Sequence, residues 1–440
     1  MTRTTFTAGA VLILLAVLSG PAVADGGNGG GGGAAPAARA PALWQPRGPE
    51  LAGADNTTDA PQMKPDVTFR DTIAPGQTRM YGLALDSVST AYASVFAVPP
   101  TGAAVSLADG IELKLTAPDG TECDGYDDHF GDDGDAHPLG GAVVRSTGPD
   151  DDCASADQYT LQVHRTSDGK GDDQRPWALE LRTVLEPALK PGTAPVAPQP
   201  TVSASPTPLT AGTSRPAHGG VSPETAAAVK TGVWKDRVLP GETRFYEIPV
   251  DWGQSATIFA DFSNAPAAGT GVFVGSGVRL AVYNPLRQFV HDREDIYDGN
   301  PAALSEQLAP VAYGNRDSDD DSVAPVRCAG WYYVALTVNP RLAKVLPDGL
   351  PVTLRVQVSG TVQPAPVYAS DPSGAGIGVG GHDLAQADGT ATGGSGSSGR
   401  PALRLVAYGA FGLGALLLLA LAGWYGTAWR RTGAAARHGG

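Results

Sequence analysis

Apolar and polar residues alternate along short runs of this chain, and turn residues separate the runs. In GIELKL (110–115), YTLQVHR (159–165) and WALELRTV (177–184), apolar side chains recur with a period close to two. A period of two is what a β-strand with one buried face requires, whereas an amphipathic helix repeats every 3.6 residues. Pro-Gly and Pro-Asp-Gly turns bound such runs. The pattern predicts an all-β protein.

The same order of predicted strands occurs twice. PGQTRMYGLAL (75–85) returns as PGETRFYEIPV (240–250), which aligns Tyr81 with Tyr246. After each copy, GIELKL, YTLQVHR and WALELRTV of the first segment align in order with GVRLAV, YYVALTV and VTLRVQVS of the second. The repeated phrase carries no obvious catalytic group, so we interpret it as a folding signature with its aromatic residue on the core face. Two jelly-roll-like β-sandwich domains are the predicted architecture.

Composition marks where these domains begin and end. We place them at 66–186 and 226–362, because the stretches around them, 25–65, 187–225 and 363–402, are dominated by Gly, Ala, Pro and Ser. Such stretches cannot bury enough apolar surface to offset chain entropy. We therefore predict a disordered segment, an extended Pro-rich linker and a flexible Gly/Ser-rich stalk, in that order.

The first residues have the pattern of a signal peptide. Arg3 precedes the apolar run AGAVLILLAVLSG (8–20), and small residues at 22–24 offer a cleavage site. The run is too short to span a bilayer comfortably. We expect residues 1–24 to direct export and to be removed.

A second apolar segment lies near the C-terminus. Residues 405–429 contain no charged side chain, and aromatic residues stand near both ends of this run. About 20 apolar residues suffice to cross the hydrocarbon core as a helix. We predict a transmembrane helix at 403–429 and a cytoplasmic tail at 430–440. The protein would then be a single-pass type I protein of the cell membrane, with its larger part extracellular.

Acidic residues give the chain a formal net charge of −14 at pH 7. The exported part carries no basic stripe, which argues against nucleic acid as a partner. One stretch concentrates hard oxygen ligands and glycine, as Ca²⁺ loops do: DGYDDHFGDDGDAH (124–137). It does not match the spacing of ligands in an EF-hand loop. The alternative is a solvated acidic loop that keeps an exported protein in solution. No other cofactor is expected, and the candidate Ca²⁺ ligands are Asp124, Asp127, Asp128, Asp132, Asp133 and Asp135.

Cysteine and tryptophan supply two further candidates. Cys123 and Cys153 flank the acidic loop and are candidates for a disulfide, which leaves Cys328 either buried or available to a second chain. Trp252 lies in the turn-like DWGQS and is a candidate for an exposed platform that binds a sugar or a protein. Most other aromatic residues are expected in the cores.

Catalytic motifs are not recognisable in this sequence. It contains no GxSxG elbow, no HExxH and no CxxC. A glycosidase needs one carboxyl group held in an apolar pocket, and loops crowded with Asp and Gly are poor places for one. We expect that the protein is not an enzyme.

The chain contains, in this order, PGxTRxY, GxxLxxxxP, an acidic loop and a (G/A)xxYxxxV strand. This order resembles the bacterial pre-peptidase C-terminal (PPC) domain, a small β-sandwich of exported proteins. PGETRFYEIPV, GVRLAVYNP and CAGWYYVALTV carry the clearer copy, and the first copy departs from it at 156–159, which reads ADQY. The Ala, Gly and Pro content is similar to that of proteins from high-GC Gram-positive bacteria. The resemblance implies a non-catalytic accessory or binding module, calcium-dependent in some members.

Together these features predict a non-enzymatic type I cell-surface protein, acting as an extracellular binding or assembly component of a membrane-associated complex. Its expected partners are the membrane, through one helix, and an extracellular protein or a cell-wall component. Two alternatives stay open at this point. One is a surface hydrolase, or its accessory subunit, directed at peptides or glycans, and the other is a structural spacer in the cell wall.

Overall fold

The computed structural model describes residues 40–131, 134–148, 151–167, 173–198, 207–210, 212–265 and 273–389. The predicted signal peptide, transmembrane helix and cytoplasmic tail lie outside these ranges. Among the residues so described, none of the helices has the length and hydropathy needed to cross a bilayer.

Two facing four-stranded sheets form the first domain. In chain order its strands are β1 (Thr68–Ile73), β2 (Thr78–Leu85), β3 (Thr90–Val98), β4 (Gly110–Thr116), β5 (Glu122–His129), β6 (Leu139–Arg145), β7 (Asp157–Thr166) and β8 (Trp177–Glu186). One sheet has the order β1-β8-β3-β6 and the other the order β2-β7-β4-β5. Apolar side chains from both sheets, among them Tyr81, Leu161 and Leu181, pack into one core.

The second domain has the same topology. Its strands are β9 (Arg215–Pro216), β10 (Ala227–Ala228), β11 (Gly232–Val238), β12 (Thr243–Val250), β13 (Ser255–Phe262), β14 (Val274–Tyr283), β15 (Phe289–Tyr297), β16 (Ala302–Gln307), β17 (Gly330–Val338) and β18 (Leu350–Ser359). Its sheets have the orders β16-β13-β18-β11-β9 and β10-β12-β17-β14-β15. Adding ten to each strand number of the first domain reproduces both orders, apart from β9 and β10. The predicted tandem of β-sandwiches is confirmed.

Residues 49–63, which we expected to be disordered, cover one edge of the first domain. Backbone bridges join Glu50 to β1 and join Ala54 and Gln62 to β2. An uncovered edge strand exposes unpaired N–H and C=O groups to other chains, and this segment satisfies part of them. The prediction of disorder for 25–65 is therefore wrong from residue 40 onward.

The second domain has the matching segment. β9 pairs in parallel with β11, β10 pairs in parallel with β12, and Gly220 bridges to β12 between them. The repeat therefore starts near residues 49 and 215, rather than at 66 and 226 as we predicted. Alternation could not mark these segments, because they contribute isolated bridges instead of long strands.

The repeated phrase holds these edge segments in place. In the first domain, the Tyr81 hydroxyl and the Gly53 N–H both donate to Asp71 Oδ2, each at 2.8 Å. Arg79 Nη1 donates to the carbonyl of Gly53 at 2.9 Å. The tyrosine of PGQTRMY thus fastens the edge segment through one buried aspartate, and the arginine fastens it directly.

The second domain uses the corresponding residues. The Tyr246 hydroxyl donates to Asp236 Oδ2 at 2.7 Å, and the Gly219 N–H donates to the same oxygen at 2.8 Å. Arg244 Nη1 donates to the carbonyl of Gly219 at 3.0 Å. The phrase is a folding signature, but its arginine and tyrosine act on the neighbouring segment as well as on the core.

The last part of the chain that the structure describes is also packed. We had predicted a flexible stalk at 363–402. Tyr368 forms a backbone bridge with Leu189, which belongs to the predicted Pro-rich linker. A short helix, α1 (Gly381–Ala387), lies against the second domain, where Trp331 Nε1 donates to Asp383 Oδ1 at 3.2 Å. Residues up to 389 therefore belong to the folded body.

Candidate functional site

The two sandwiches pack directly on each other. Every residue of β3 is buried, because one face contributes to its own core and the other meets the second domain. Trp44 lies between Phe96 of β3 and Phe245 of β12, with ring centroids 5.1 and 5.6 Å away. Tyr283 of β14 meets Phe96 edge-on at 5.3 Å. Aromatic contacts thus join the two domains, which the predicted linker would have held apart.

A buried ion pair lies beside this aromatic cluster. Glu180 of β8 accepts from Arg287 Nη1 of the second domain at 2.8 Å through one oxygen. Its other oxygen accepts from Trp44 Nε1 at 3.0 Å. Removing one member of such a pair leaves an uncompensated buried charge, which typically costs about 3–5 kcal/mol. The pair therefore ties the relative position of the two domains to their stability.

A second glutamate of β8 makes a similar junction. Glu186 Oε1 accepts from Arg316 Nη2 of the second domain at 2.8 Å and from the Tyr368 hydroxyl at 3.0 Å. Its Oε2 accepts from the Tyr92 hydroxyl at 2.8 Å. One buried carboxylate thus links the first domain, the second domain and the C-terminal segment.

A cleft of ≈ 290 Å³ lies at this domain junction. The lining includes residues 98–103 and 136–138 of the first domain, Pro240, Gly241 and Thr243 of the second, and the N-terminal segment 41–44. Trp44, which lines the cleft, also belongs to the aromatic cluster of the junction. The cleft therefore exists only when the two domains and the N-terminal segment are assembled.

Many positions of the cleft lining offer a ligand no backbone N–H donor. Among the described lining residues, the N–H of Ala42 donates to Glu242 Oε1 at 2.8 Å, and that of Gly241 donates to Val338 O at 2.7 Å. Several others are prolines and have no N–H at all. These prolines are Pro41, Pro99, Pro100, Pro138, Pro240 and Pro340.

The residues that we predicted to bind Ca²⁺ lie partly in a strand rather than in a loop. Asp124, Tyr126 and Asp128 alternate along β5 and face β6, the edge strand of the opposite sheet. Asp124 Oδ2 accepts from Val144 N at 2.7 Å, and Asp128 Oδ2 accepts from Gly140 N at 3.0 Å. Burial raises the pKa of both carboxyl groups. Their role here is to join the edges of the two sheets.

The remaining candidates do not converge with these two. Asp127 points to the other side of β5 and is exposed, whereas Asp135 is buried and accepts from Gly131 N at 2.7 Å. Asp132 and Asp133 lie outside the described residues. In the described ranges, no group of three or more His, Cys, Asp or Glu side chains is arranged to hold a metal ion. The four described aspartates are thus not brought together as one ligand set, because a strand directs alternate side chains to opposite faces, and Ca²⁺ binding stays a prediction.

The cysteines and Trp252 have defined positions. Cys123 and Cys153 form a disulfide with a Cα–Cα distance of 5.7 Å, and Cys328 is buried, where desolvation raises the pKa of its thiol. Trp252 is only 4 % exposed and packs in the core of the second domain. Val196 and Pro364 of the flanking segments lie beside it. The prediction that Trp252 forms an exposed platform is wrong, because these segments are packed against the domain.

Sequence reasoning missed the domain junction. Glu180 and Glu186 lie on the face of β8 that points away from its own core, so the alternation suggested that this face is solvated. One signal was available in β3, TAYASVFAV, whose nearly continuous apolar character is typical of a strand buried on both faces.

The order of the strands, the two cores and the junction between the domains define this chain as a tandem β-sandwich protein. No family model and no curated protein matches it. It is similar to the CUB1-EGF-CUB2 domain of human MASP-1/3, with 7% identity over 66% of this chain and 99% of that chain, and a TM-score of 0.17. It is also similar to the N-terminal CBM22-1-CBM22-2 tandem of Paenibacillus barcinonensis Xyn10C, with 11% identity, 73% and 100% coverage, and a TM-score of 0.18.

A third similar structure is the pair of tandem CBM51 modules of Sp3GH98, the family 98 glycoside hydrolase from Streptococcus pneumoniae SP3-BS71. It has 8% identity, covers 67% of this chain and 85% of that chain, and has a TM-score of 0.18. Likenesses at these TM-scores carry no argument about function. The functional argument therefore rests on the geometry of this chain.

Proposed function

We propose that this chain is a non-enzymatic, exported, single-pass membrane protein whose two PPC-like sandwiches act as one extracellular binding component of a membrane-associated complex. The cleft at the domain junction is its binding site. One observation carries the proposal: both domains and the N-terminal segment contribute to a single apolar concavity. Preformed, largely apolar concavities are where proteins most often bind ligands.

Two features support the extracellular location. The first is the pairing of Cys123 with Cys153, since disulfides form and persist mainly in oxidising compartments. The second is the pattern of the sequence outside the described residues, where 1–24 resembles a signal peptide and 403–429 is apolar enough for a membrane span.

The rigidity of the junction supports a binding role. Glu180 and Glu186 each hold an arginine of the second domain with both carboxylate oxygens satisfied. A site whose walls are fixed before the ligand arrives loses less conformational entropy on binding. A spacer would not need its two domains locked in one relative orientation.

Site-specific photocrosslinking on intact cells tests the proposal. A benzophenone amino acid replaces Ala343, an exposed residue that lines the cleft, and a matched variant carries it at Ala303, an exposed residue of β16. We expect one stoichiometric protein adduct from position 343 that is missing from position 303. The same adducts from both positions, or adducts with wall polymer alone, would contradict a protein-binding role for the cleft.

A further inference from the structure

The lining of the cleft at the domain junction favours some classes of ligand over others. Resting on the proposed function, we infer that it receives an aromatic side chain with a single donor group, such as the indole of a tryptophan, from an extended segment of the partner protein. A sugar is the ligand class that this lining disfavours.

The size of the cleft is the first argument. Its volume of ≈ 290 Å³ is just below the roughly 300–1,000 Å³ typical of small-molecule pockets. That volume suits one large side chain with its neighbouring backbone, and it leaves little room for a chain of sugar rings.

The polarity of the lining is the second argument. Sugar hydroxyl groups both donate and accept, so a sugar buried here would need N–H or O–H donors. The prolines lack an N–H group, and the N–H groups of Ala42, Ala103, Val221 and Gly241 already donate elsewhere in the protein. The prolines keep their carbonyl acceptors. Among the lining side chains, Thr101 carries a hydroxyl. His137 Nδ1 donates to Asp135 O, which leaves the buried Nε2, without a hydrogen-bond partner, as an acceptor in the neutral ring. An indole has an apolar body and one donor, with no acceptor to leave unsatisfied.

Continuity with the domain interface is the third argument. Trp44 and Val98 line the cleft and also belong to the cluster with Phe96, Phe245 and Tyr283. The Nε1 of Trp44 is bound to Glu180, so its polar edge is turned to the ion pair. An inserted aromatic ring would extend an existing stack, and such pairs contribute about 0.5–1.5 kcal/mol beyond their buried area.

Saturation-transfer NMR on the full-length protein in detergent tests the inference. The probes are N-acetyl-L-tryptophanamide, N-acetyl-L-alaninamide and N-acetylglucosamine. The cleft is filled from the second domain by Ala343→Trp and from the first domain by Thr101→Trp, since both residues are exposed at the lining. Ala303→Trp is the matched control on a distant exposed site. Unchanged thermal unfolding identifies the variants that fold.

We expect saturable binding of the tryptophan amide alone, at least ten-fold weaker in either cleft variant that folds and unchanged in Ala303→Trp. Sugar binding with the same sensitivity to the cleft variants would overturn the ligand class while leaving a binding role in place. Failure of the tryptophan amide to bind would also overturn it. A partner that crosslinks at position 343 despite that failure would show that the proposed function survives without this ligand.

Discussion

At the scale of single residues, the structure explains why PGxTRxY occurs twice. Each copy places a tyrosine where it holds a glycine of the preceding edge segment through a buried aspartate. The arginine of each copy donates directly to the carbonyl of the same glycine. A Cβ added at Gly53 would lie 2.8 Å from the ring of Tyr81, and one added at Gly219 would lie 2.9 Å from the ring of Tyr246. The close approach of the backbone to the tyrosine therefore requires glycine at both positions.

The hydrogen bond between Tyr246 and Asp236 has a measurable contribution to stability. Tyr246→Phe removes a donor from a buried carboxylate, so we expect the free energy of unfolding to fall by about 1–3 kcal/mol. A double-mutant cycle with Asp236→Ala, measured by denaturant unfolding, isolates the pair. A coupling energy near zero would show that the tyrosine serves only as a core residue. We expect Tyr81→Phe, in the first domain, to lower the free energy of unfolding by a similar amount.

At the scale of elements, the strands with one apolar face were predictable, and β5 was not. The sequence of β5 has acidic residues on both faces, so composition indicated a loop. Only the structure shows that Asp124 and Asp128 reach the backbone of β6, which lies in the other sheet. Such bonds between sheets leave no periodic signal, because their partners are set by the packing of the sandwich.

The link between β5 and β6 predicts a contrast between two substitutions of Asp128. The amide of Asp128→Asn can still accept from Gly140 N, whereas Asp128→Ala leaves that N–H without this partner and should cost about 1–3 kcal/mol. Denaturant unfolding of both variants measures the difference. Equal losses would contradict the role of the oxygen acceptor.

The same variants have a defined pH dependence. Burial raises the pKa of Asp128 above its ordinary value of 3.8, so the folded state binds the proton more tightly than the unfolded state. The contribution of Asp128 to stability therefore decreases as pH rises from about 4 through the raised pKa. Asp128→Asn should remove that decrease and be at least as stable as the parent protein at pH 7.

At the scale of the whole molecule, the main difference from the sequence-based prediction is the junction. Two domains and a Pro-rich linker were predictable from repeats and composition. The pairing of Glu180 with Arg287 joins residues more than 100 positions apart, and no local pattern marks it. The polar outer face of β8 looks solvated until the second domain is placed over it. The cleft follows from that placement, which is why sequence reasoning did not find it.

The central claim is that the two sandwiches form one rigid body, and a distance distribution between them tests it most directly. Spin labels at Val88→Cys and Ala303→Cys, both exposed, report one position in each domain, while the buried Cys328 stays unlabelled. Pulsed electron–electron double resonance on the full-length protein should give a single narrow distance distribution. A broad distribution, as expected of two domains on a Pro-rich linker, would contradict the junction and with it the cleft.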